Sequence, residues 1–196
     1  MLDFFLLSQQ CAPNVHPDTM HRLVRVESSF NPFAIGVVGA HLPRRPRSRD
    51  EAIAVTRWLG NQGYNYSVGL AQRNMKNCAA QGLNAATAFD PCRNLHAGSR
   101  ILTDCYRRAL QHTPEVQRAL RAALSCYESG NFITGLKDGY VLKLLSASGA
   151  TPKSNRKLGV IAARAATQSS LIQTPPTASA IPATSVNVAL TRAPLR

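Results

Sequence analysis

One carboxylate of the 196-residue chain, Glu27, lies at a position where a carboxyl group is costly to place. Met20, Leu23, Val24 and Glu27 recur at helical spacing, so that an apolar stripe ends on this residue. Partial burial disfavours the charged form of a carboxyl group and raises its pKa. Such a carboxyl group can donate a proton near neutral pH, as a general acid in glycosidic bond cleavage must. From the helical position alone, the alternative is a glutamate that pairs with a nearby arginine or faces water.

The helix that carries Glu27 is marked at both ends. Pro17 provides a proline at the first helical position, and Asn31-Pro32 ends the pattern. Asp90-Pro91 marks the start of another helix in the same way. No stretch shows the sustained alternation that is typical of strands, so the sequence predicts an all-α domain of about six helices with little or no sheet. The other helical patterns cover about residues 50–60, 73–81, 115–127 and 138–147. The third of these is expected to bury one stripe of side chains: Val116, Leu120, Ala123, Leu124 and Tyr127.

Charge and composition separate a domain from a basic tail. The formal net charge is +13, and all ten acidic residues lie between Asp3 and Asp138. Residues 150–196 contain no acidic or aromatic residue and are rich in alanine, serine, threonine and proline. Such a segment buries too little apolar surface to offset chain entropy, so it is predicted to be mostly disordered, with a short basic helix over 158–166 as the exception. We therefore predict a domain over 12–149 after an N-terminal segment at 1–11.

The charge and composition of the chain also limit which kinds of partner it could bind. A basic surface favours polyanions such as nucleic acid, anionic lipid or the polymers of a cell envelope. No nucleic-acid-binding signature is present, so no specific nucleic acid is predicted as a partner. No apolar run approaches the roughly 18 residues of a membrane-spanning helix, so the chain is predicted not to be transmembrane.

The cysteines are an odd number and lack the tight spacing of a zinc site. One or two disulfides with one thiol left over would suit an oxidising compartment, and free buried thiols would suit a reducing one. The spacing does not choose between these alternatives. The five are Cys11, Cys78, Cys92, Cys105 and Cys126.

Four motifs resemble those of the lysozyme-like lytic transglycosylases, in that family's order and spacing. Residues 27–32 (ESSFNP) resemble the family's E-S-x-F-x-P motif, whose glutamate is the sole catalytic carboxylate. Residues 67–74 (SVGLAQRN) resemble G-L-M-Q-x-N, and residues 123–131 (ALSCYESGN) resemble A-L-x-A-Y-N-x-G. Residues 139–141 match the G-Y-V of the last helix of that domain.

Further segments resemble the branch of this family that accompanies bacterial type IV secretion systems. The resemblance covers about residues 11–147 and leaves the tail unmatched. Three positions depart from the motifs: Ala71 replaces a methionine, Arg73 replaces a small apolar residue, and Glu128 replaces an asparagine. Glu128 would either raise the pKa of Glu27 by like-charge repulsion or simply face water. The segments that resemble this branch are residues 34–39, 63–69, 89–95 and 126–132.

The resemblance implies a peptidoglycan-cleaving lyase. Glu27 would act as acid and then as base, cutting the strand between N-acetylmuramic acid (MurNAc) and N-acetylglucosamine (GlcNAc) and leaving a 1,6-anhydro ring on MurNAc. The enzyme would open the cell wall locally for assembly of a type IV secretion system, whose components would be its partners. It would work in the periplasm, although residues 1–11 lack the basic start and long apolar core of an export signal.

The resemblance also implies roles for six other residues, and it implies no metal or cofactor. Ser28 and Gln72 would contact the sugar or orient Glu27. The turn at Gly69 and Leu70 would bring backbone close to the glycan. The remaining two are Tyr127, which would line the cleft, and Tyr140, which would lie near the acetamido group and Glu27.

Three alternatives stay open from the sequence. The first is a muramidase on the same fold, which would use water and leave a reducing end. The second is a catalytically weak or inactive glycan-binding or scaffold subunit of the secretion apparatus, which the three departures from the motifs leave room for. The third is a basic nucleic-acid-binding protein, which rests on charge alone.

Overall fold

The computed structural model describes residues 4–147 together with residues 191–192. Helices account for most of this part of the chain, and none of them is both long and apolar enough to cross a membrane. The helices are α1 (Phe4–Cys11), α2 (Pro17–Ser28), α3 (Arg49–Asn61), α4 (Pro91–Leu110), α5 (Val116–Ser129), α6 (Thr134–Lys137) and α7 (Tyr140–Ser146).

Helices α2 and α4 begin at the prolines where the sequence predicts them. The His16 ring accepts a hydrogen bond from the backbone N–H of Asp18 at the start of α2. The Asp90 carboxylate accepts one from the backbone N–H of Arg93 at 2.8 Å. These acceptors satisfy N–H groups that have no partner within the helix, which fixes where each helix starts. At its other end α2 stops at Ser29, which adopts a left-handed conformation with φ 53°.

Helix α1 lies in the segment at residues 1–11 that the sequence sets apart from the domain. Ser8 and Cys11 are buried, and Phe4 and Leu7 pack against the main core. The Phe4 ring also meets the Phe30 ring edge-on, with centroids 5.1 Å apart. Eight residues are too few to show a helical period, which explains why the sequence does not predict α1. The helix is nevertheless packed as part of the domain.

A small antiparallel sheet corrects the prediction of little or no sheet. Its strand order is β4-β3-β1-β2-β5, and β1 pairs with β3 so that Ile35 lies opposite Val68. Each strand has two or three residues, which is too short to show the alternation that marks a strand in sequence. The prediction of a mainly helical fold is confirmed. The strands are β1 (Ile35–Val37), β2 (Ala40–His41), β3 (Tyr66–Val68), β4 (Arg73–Asn74) and β5 (Thr191–Arg192).

Strand β5 is the described part of the predicted tail. It pairs antiparallel with β2, with Ala40 opposite Arg192 and His41 opposite Thr191. The predicted disorder of the remainder of 150–196, and the predicted helix at 158–166, lie outside the described residues.

Three details of the predicted helices are wrong. The helix expected over 73–81 is β4 followed by two 3-10 turns, Met75–Asn77 and Ala79–Gln81. The helix expected from Asp138 begins two residues later, because Gly139 has a left-handed φ of 83°. Val116, which was expected on the buried stripe of α5, is the first residue of that helix and is exposed.

The hydrophobic core has two parts. The larger part lies among α1, α2, α4, α5 and α7, and the smaller part joins α3 to β3 and the segment before α4. The α2 residues of the predicted stripe are buried in the larger part: Met20, Leu23 and Val24 have no exposed surface. This burial orients α2 so that the stripe packs inward and Glu27 lies at its margin.

Two disulfides and one free thiol account for the cysteines. Cys11–Cys92 joins α1 to the first turn of α4, and Cys105–Cys126 joins α4 to α5. The Cys78 thiol is buried. The structure therefore agrees with the first alternative drawn from the sequence, two disulfides with one thiol left over, which suits an oxidising compartment.

Candidate active site

A cleft of about 1140 Å³ lies against the small sheet. Strands β1, β2, β3 and β4 contribute to one part of its lining, and α4 and α5 contribute to another. Glu27, in the last turn of α2, is also among the lining residues. The elements that carry three of the sequence motifs therefore meet at one cavity. The residues that line it include Glu27, Gly36, Gln72, Arg73, Tyr127 and Glu128.

Glu27 is partly buried, and the chain reverses sharply just after it. Ser29 and Phe30 both have left-handed backbone conformations, with φ 53° and 63°, which non-glycine residues seldom adopt. Burial raises the pKa of Glu27 to about 7, against a smaller lowering by the hydrogen bond from Tyr140 and by the charge of Arg73. The carboxyl group therefore exists in both protonation states near neutral pH.

Tyr140 holds the Glu27 carboxyl group in place. It is the first residue of α7, and its backbone N–H donates to the Asp138 carboxylate at 3.0 Å. Its hydroxyl donates a hydrogen bond to Oε1 of Glu27. Burial and the nearby Glu27 carboxylate raise the pKa of Tyr140 well above its ordinary value, so the hydroxyl keeps its proton. One oxygen of Glu27 thus has a fixed donor.

Tyr127 ties α5 to the turn after β3. Its side chain is buried, and its hydroxyl donates to the Ala71 carbonyl at 2.7 Å. Burial raises the pKa of Tyr127 to about 12, so it too remains a neutral donor. Residue 71, where the related motif has methionine, is fully buried as Ala71. Its small side chain fits against Gly98 of α4, where an added Cβ would lie only 2.7 Å from the Ala71 Cβ.

Asn94 organises the turn at residues 69–72 from within the protein. Its amide nitrogen donates to the carbonyls of Val68 and Ala88, and its oxygen accepts from the Ala71 N–H at 2.7 Å. A Cβ at Gly69 would lie 2.3 Å from the Asn94 amide nitrogen, and Gly69 has φ 79°. Only glycine therefore fits this turn. Sequence reasoning missed the role of Asn94, because an asparagine inside a helix carries no mark of such long-range contacts.

Gln72 is held at the cleft with a strained backbone. Its φ is 43°, and its side-chain amide donates to the carbonyls of Ala34 and Gly69 at 3.2 and 3.0 Å. Its Oε1 lies 2.8 Å from where a Cβ of Gly36 would be, so Gly36 is needed for this close approach. These contacts fix the orientation of the Gln72 side chain in the cleft wall.

The structure brings some of the predicted site residues together and not others. Glu27, Gln72 and Tyr127 line the cleft, and Tyr140 contacts Glu27. The other three lie behind it: the hydroxyl of Ser28 is buried and donates to the Val24 carbonyl, Leu70 belongs to the main core, and Gly69 packs on Asn94.

Glu128 both faces water and lies in the cleft lining. Partial burial raises the pKa of its carboxyl group, and the charge of Asp138 adds to this. Its own charge is the smallest of the influences that raise the pKa of Glu27. Both possibilities drawn from the sequence for this residue therefore hold in part. Within the described residues no group of three or more His, Cys, Asp or Glu side chains could hold a metal ion.

The pKa of Glu27 leads to a prediction for its hydrogen bond to Tyr140. Activity that needs a protonated Glu27 is expected to fall as the pH rises through about 7. Tyr140→Phe removes a bond that lowers this pKa, so the alkaline limb of the pH–rate profile should move to higher pH. We also expect about a tenfold loss of rate at pH 5.5, because a hydrogen bond to a charged group contributes about 1.5 kcal/mol.

The matched control is Tyr64→Phe, the same loss of a hydroxyl on an exposed ring that stacks on Trp58 outside the cleft lining. It should leave both the alkaline limb of the pH–rate profile and the rate at pH 5.5 unchanged. The role given to Tyr140 would be disproved by a Tyr140→Phe profile that overlays that of the unaltered protein.

Comparison with known proteins identifies the family. The model of the transglycosylase SLT domain matches residues 5–141. The type IV secretion system protein virB1 of Brucella abortus is 51% identical over 159 residues, which cover 78% of this chain and 67% of the relative. Protein virB1 of Rhizobium radiobacter is 33% identical over 74% of this chain and 61% of its own length. Protein virB1 of Agrobacterium fabrum is 30% identical over 74% of this chain and 59% of its own length. No solved structure gives a significant match.

The family match begins in α1 and ends at residue 141, in the first turn of α7, and so includes the cleft, Glu27 and every residue described around it. The first virB1 relative extends the similarity over three quarters of the chain. The chain therefore belongs to the SLT family of lytic transglycosylases, enzymes that act on peptidoglycan.

Proposed function

We propose that the chain cleaves the glycan strand of peptidoglycan between MurNAc and GlcNAc and leaves a 1,6-anhydro ring on MurNAc. The observation that carries this proposal is the state of Glu27: a partly buried carboxyl group in a large cleft, with a pKa of about 7 and a fixed donor on one oxygen. A group with this pKa can donate a proton in one step and accept one in the next.

In the first step, the protonated Glu27 donates its proton to the glycosidic oxygen. The bond from that oxygen to carbon 1 of MurNAc breaks, and the GlcNAc end leaves as an alcohol. The acetamido oxygen of MurNAc stabilises the positive charge that develops on carbon 1. Glu27 is then a carboxylate, and the Tyr140 hydroxyl stabilises it by donating to Oε1.

In the second step, the Glu27 carboxylate removes the proton of the hydroxyl group on carbon 6 of the same sugar. The freed oxygen bonds to carbon 1 and closes the anhydro ring, and Glu27 is again protonated. No water is consumed, so the reaction is that of a lyase. Most glycosidases need two carboxylates beside the bond, whereas here the substrate supplies its own nucleophile.

The other predicted site residues support this cycle in two ways. We propose that Gln72 and Tyr127 contact the sugars, since both line the cleft in fixed orientations. The buried Ser28, Gly69 and Leu70 act by shaping the α2 end and the 69–72 turn, which agrees with their contacts inside the protein.

The proposed biological role is local opening of the cell wall for assembly of a type IV secretion system. This proposal is supported by the similarity to relatives that are named type IV secretion system protein virB1. The periplasm is the proposed location, because peptidoglycan lies there and the two disulfides suit an oxidising compartment. We assign catalysis to residues 12–149 with α1 packed against them, and treat residues 150–196 as an appended tail.

The products released from purified sacculi test the proposed reaction. Mass spectrometry should find muropeptides whose MurNAc end is lighter by one water than a reducing end. Reducing ends would instead identify a hydrolase, and binding without any product would identify a glycan-binding subunit. Either result would refute the proposed chemistry.

A further inference from the structure

Arg73, one of the three departures from the family motifs, is a buried cation at the cleft. It lies in β4 opposite Val68, and only 6% of its surface is exposed. Removing a charge from water costs several kcal/mol unless the group is paired. A protein seldom buries an arginine without a partner, so the surroundings of this side chain need an explanation.

The Arg73 guanidinium contacts a neutral aromatic residue. The guanidinium carbon lies 4.8 Å from the centre of the Tyr127 ring, and the group also interacts with the Tyr127 hydroxyl, which is neutral. No atom of residues 4–147 accepts a hydrogen bond from Nε, which is buried. Arg73 is also absent from every ion pair found in the described chain.

The fold makes room for this side chain beside the catalytic carboxyl group. Gly98 of α4 lies next to this side chain, since a Cβ at Gly98 would be 3.9 Å from the Cδ of Arg73. The same Cβ would also contact Ala71 and Tyr127. Arg73 lines the same cleft as Glu27, and its charge lowers the pKa of that residue although the two form no ion pair. The cation is therefore stacked on an aromatic ring, short of acceptors, and placed at the surface where substrate binds.

We propose that Arg73 is a substrate-binding residue whose guanidinium donates hydrogen bonds to a carbonyl or carboxylate oxygen of the MurNAc unit bound next to Glu27. The proposal rests on the proposed function. A planar guanidinium with several donors suits such oxygens, and a buried position strengthens the bonds. Two groups of MurNAc carry this chemistry: the acetamido carbonyl and the lactyl group on carbon 3, which is a free carboxylate when the stem peptide is removed.

Binding without turnover tests the proposal separately from the reaction. Arg73→Met and Arg73→Lys are each combined with Glu27→Gln, and affinity is measured for peptide-free glycan strands, intact muropeptide strands and chitotetraose. The matched control is Arg100→Met, also combined with Glu27→Gln, which removes the same charge from an exposed position on α4 outside the cleft lining. A failure of the proposed reaction would be seen as wrong products from the unaltered protein, whereas these affinities do not depend on products.

Arg73→Met should weaken binding of peptide-free strands at least tenfold, with Arg73→Lys intermediate and Arg100→Met unchanged. An equal loss for chitotetraose would assign the acetamido carbonyl, and a loss confined to the two MurNAc ligands would assign the lactyl group. Both results support the site. Affinities equal to those of Arg100→Met for all three ligands would overturn it.

Thermal unfolding separates binding from a structural role. Because Arg73 is buried and forms no ion pair within the described chain, Arg73→Met should leave the melting temperature unchanged or raise it. A variant that binds poorly and also melts well below the Arg100→Met control would show that Arg73 holds the fold together, and the proposal would be rejected.

Discussion

Glu27→Gln is expected to reduce the release of muropeptides from sacculi by about 1000-fold, because general acid–base catalysis contributes roughly 100- to 10,000-fold. The amide has nearly the shape of the carboxyl group and can still accept the Tyr140 hydrogen bond at the same position. It can neither donate a proton to the glycosidic oxygen nor remove one from the hydroxyl on carbon 6. Both steps of the proposed cycle are therefore lost, while the melting temperature should not fall.

Glu128→Gln is the matched control for this variant. It makes the same chemical change at the other glutamate of the cleft lining, which is exposed and has only a small influence on Glu27. We expect activity within about twofold of the unaltered protein, since exposed charges interact weakly. If Glu128→Gln were as inactive as Glu27→Gln, a two-carboxylate hydrolytic mechanism would replace the one proposed.

Loss of both disulfides is expected to bring the domain close to unfolding at 37 °C. Cys11–Cys92 joins residues 81 positions apart and Cys105–Cys126 residues 21 apart, which in the chain-entropy description correspond to about 4.5 and about 3.3 kcal/mol. Their combined effect is comparable to the roughly 5–15 kcal/mol by which a whole domain is stable. Urea unfolding with and without reductant measures this loss.

The paired variants Cys11→Ala/Cys92→Ala and Cys105→Ala/Cys126→Ala separate the two contributions. Cys78→Ala is the control, because it removes a buried thiol that forms no cross-link. The two pairs should each lower the unfolding midpoint more than Cys78→Ala does. A midpoint insensitive to reductant would mean that packing alone, rather than the cross-links, holds α1 and α5 to α4.

The sequence was sufficient where local signals decide the structure. Pro17 and Asn31-Pro32 mark the ends of α2, and the spacing of Met20, Leu23 and Val24 correctly gives its buried face. Glu27 follows from that spacing as a partly buried carboxyl group. Local chemistry sets helix ends and helix faces, so these features can be read without knowing what packs against them.

The sequence was insufficient where distant segments define the structure. The strands are too short to show a pattern, and the pairing of β1 with β3 joins residues about thirty positions apart, such as Gly36 and Ser67. The role of Asn94 depends on three backbone groups from two other segments. The left-handed backbone of Gln72 is likewise imposed by its surroundings, since glutamine has no local preference for it.

The family motifs identified several positions, and the structure separates those that line the cleft from those that pack behind it. Gln72 and Tyr127 lie in the cleft lining, whereas Leu70 and Ser28 belong to the packing behind it. Motif membership therefore combines residues that face substrate with residues that hold them in place. The departure at Arg73 is informative for the same reason, because packing does not explain a buried arginine that forms no ion pair within the described chain.

Digestion of sacculi in water labelled with heavy oxygen tests the central claim, that Glu27 drives cleavage without water, most directly. The unaltered protein should release MurNAc ends that carry no label and lack one water, and Glu27→Gln should release almost none. Labelled oxygen on carbon 1 of the released MurNAc, or full activity of Glu27→Gln, would contradict the mechanism.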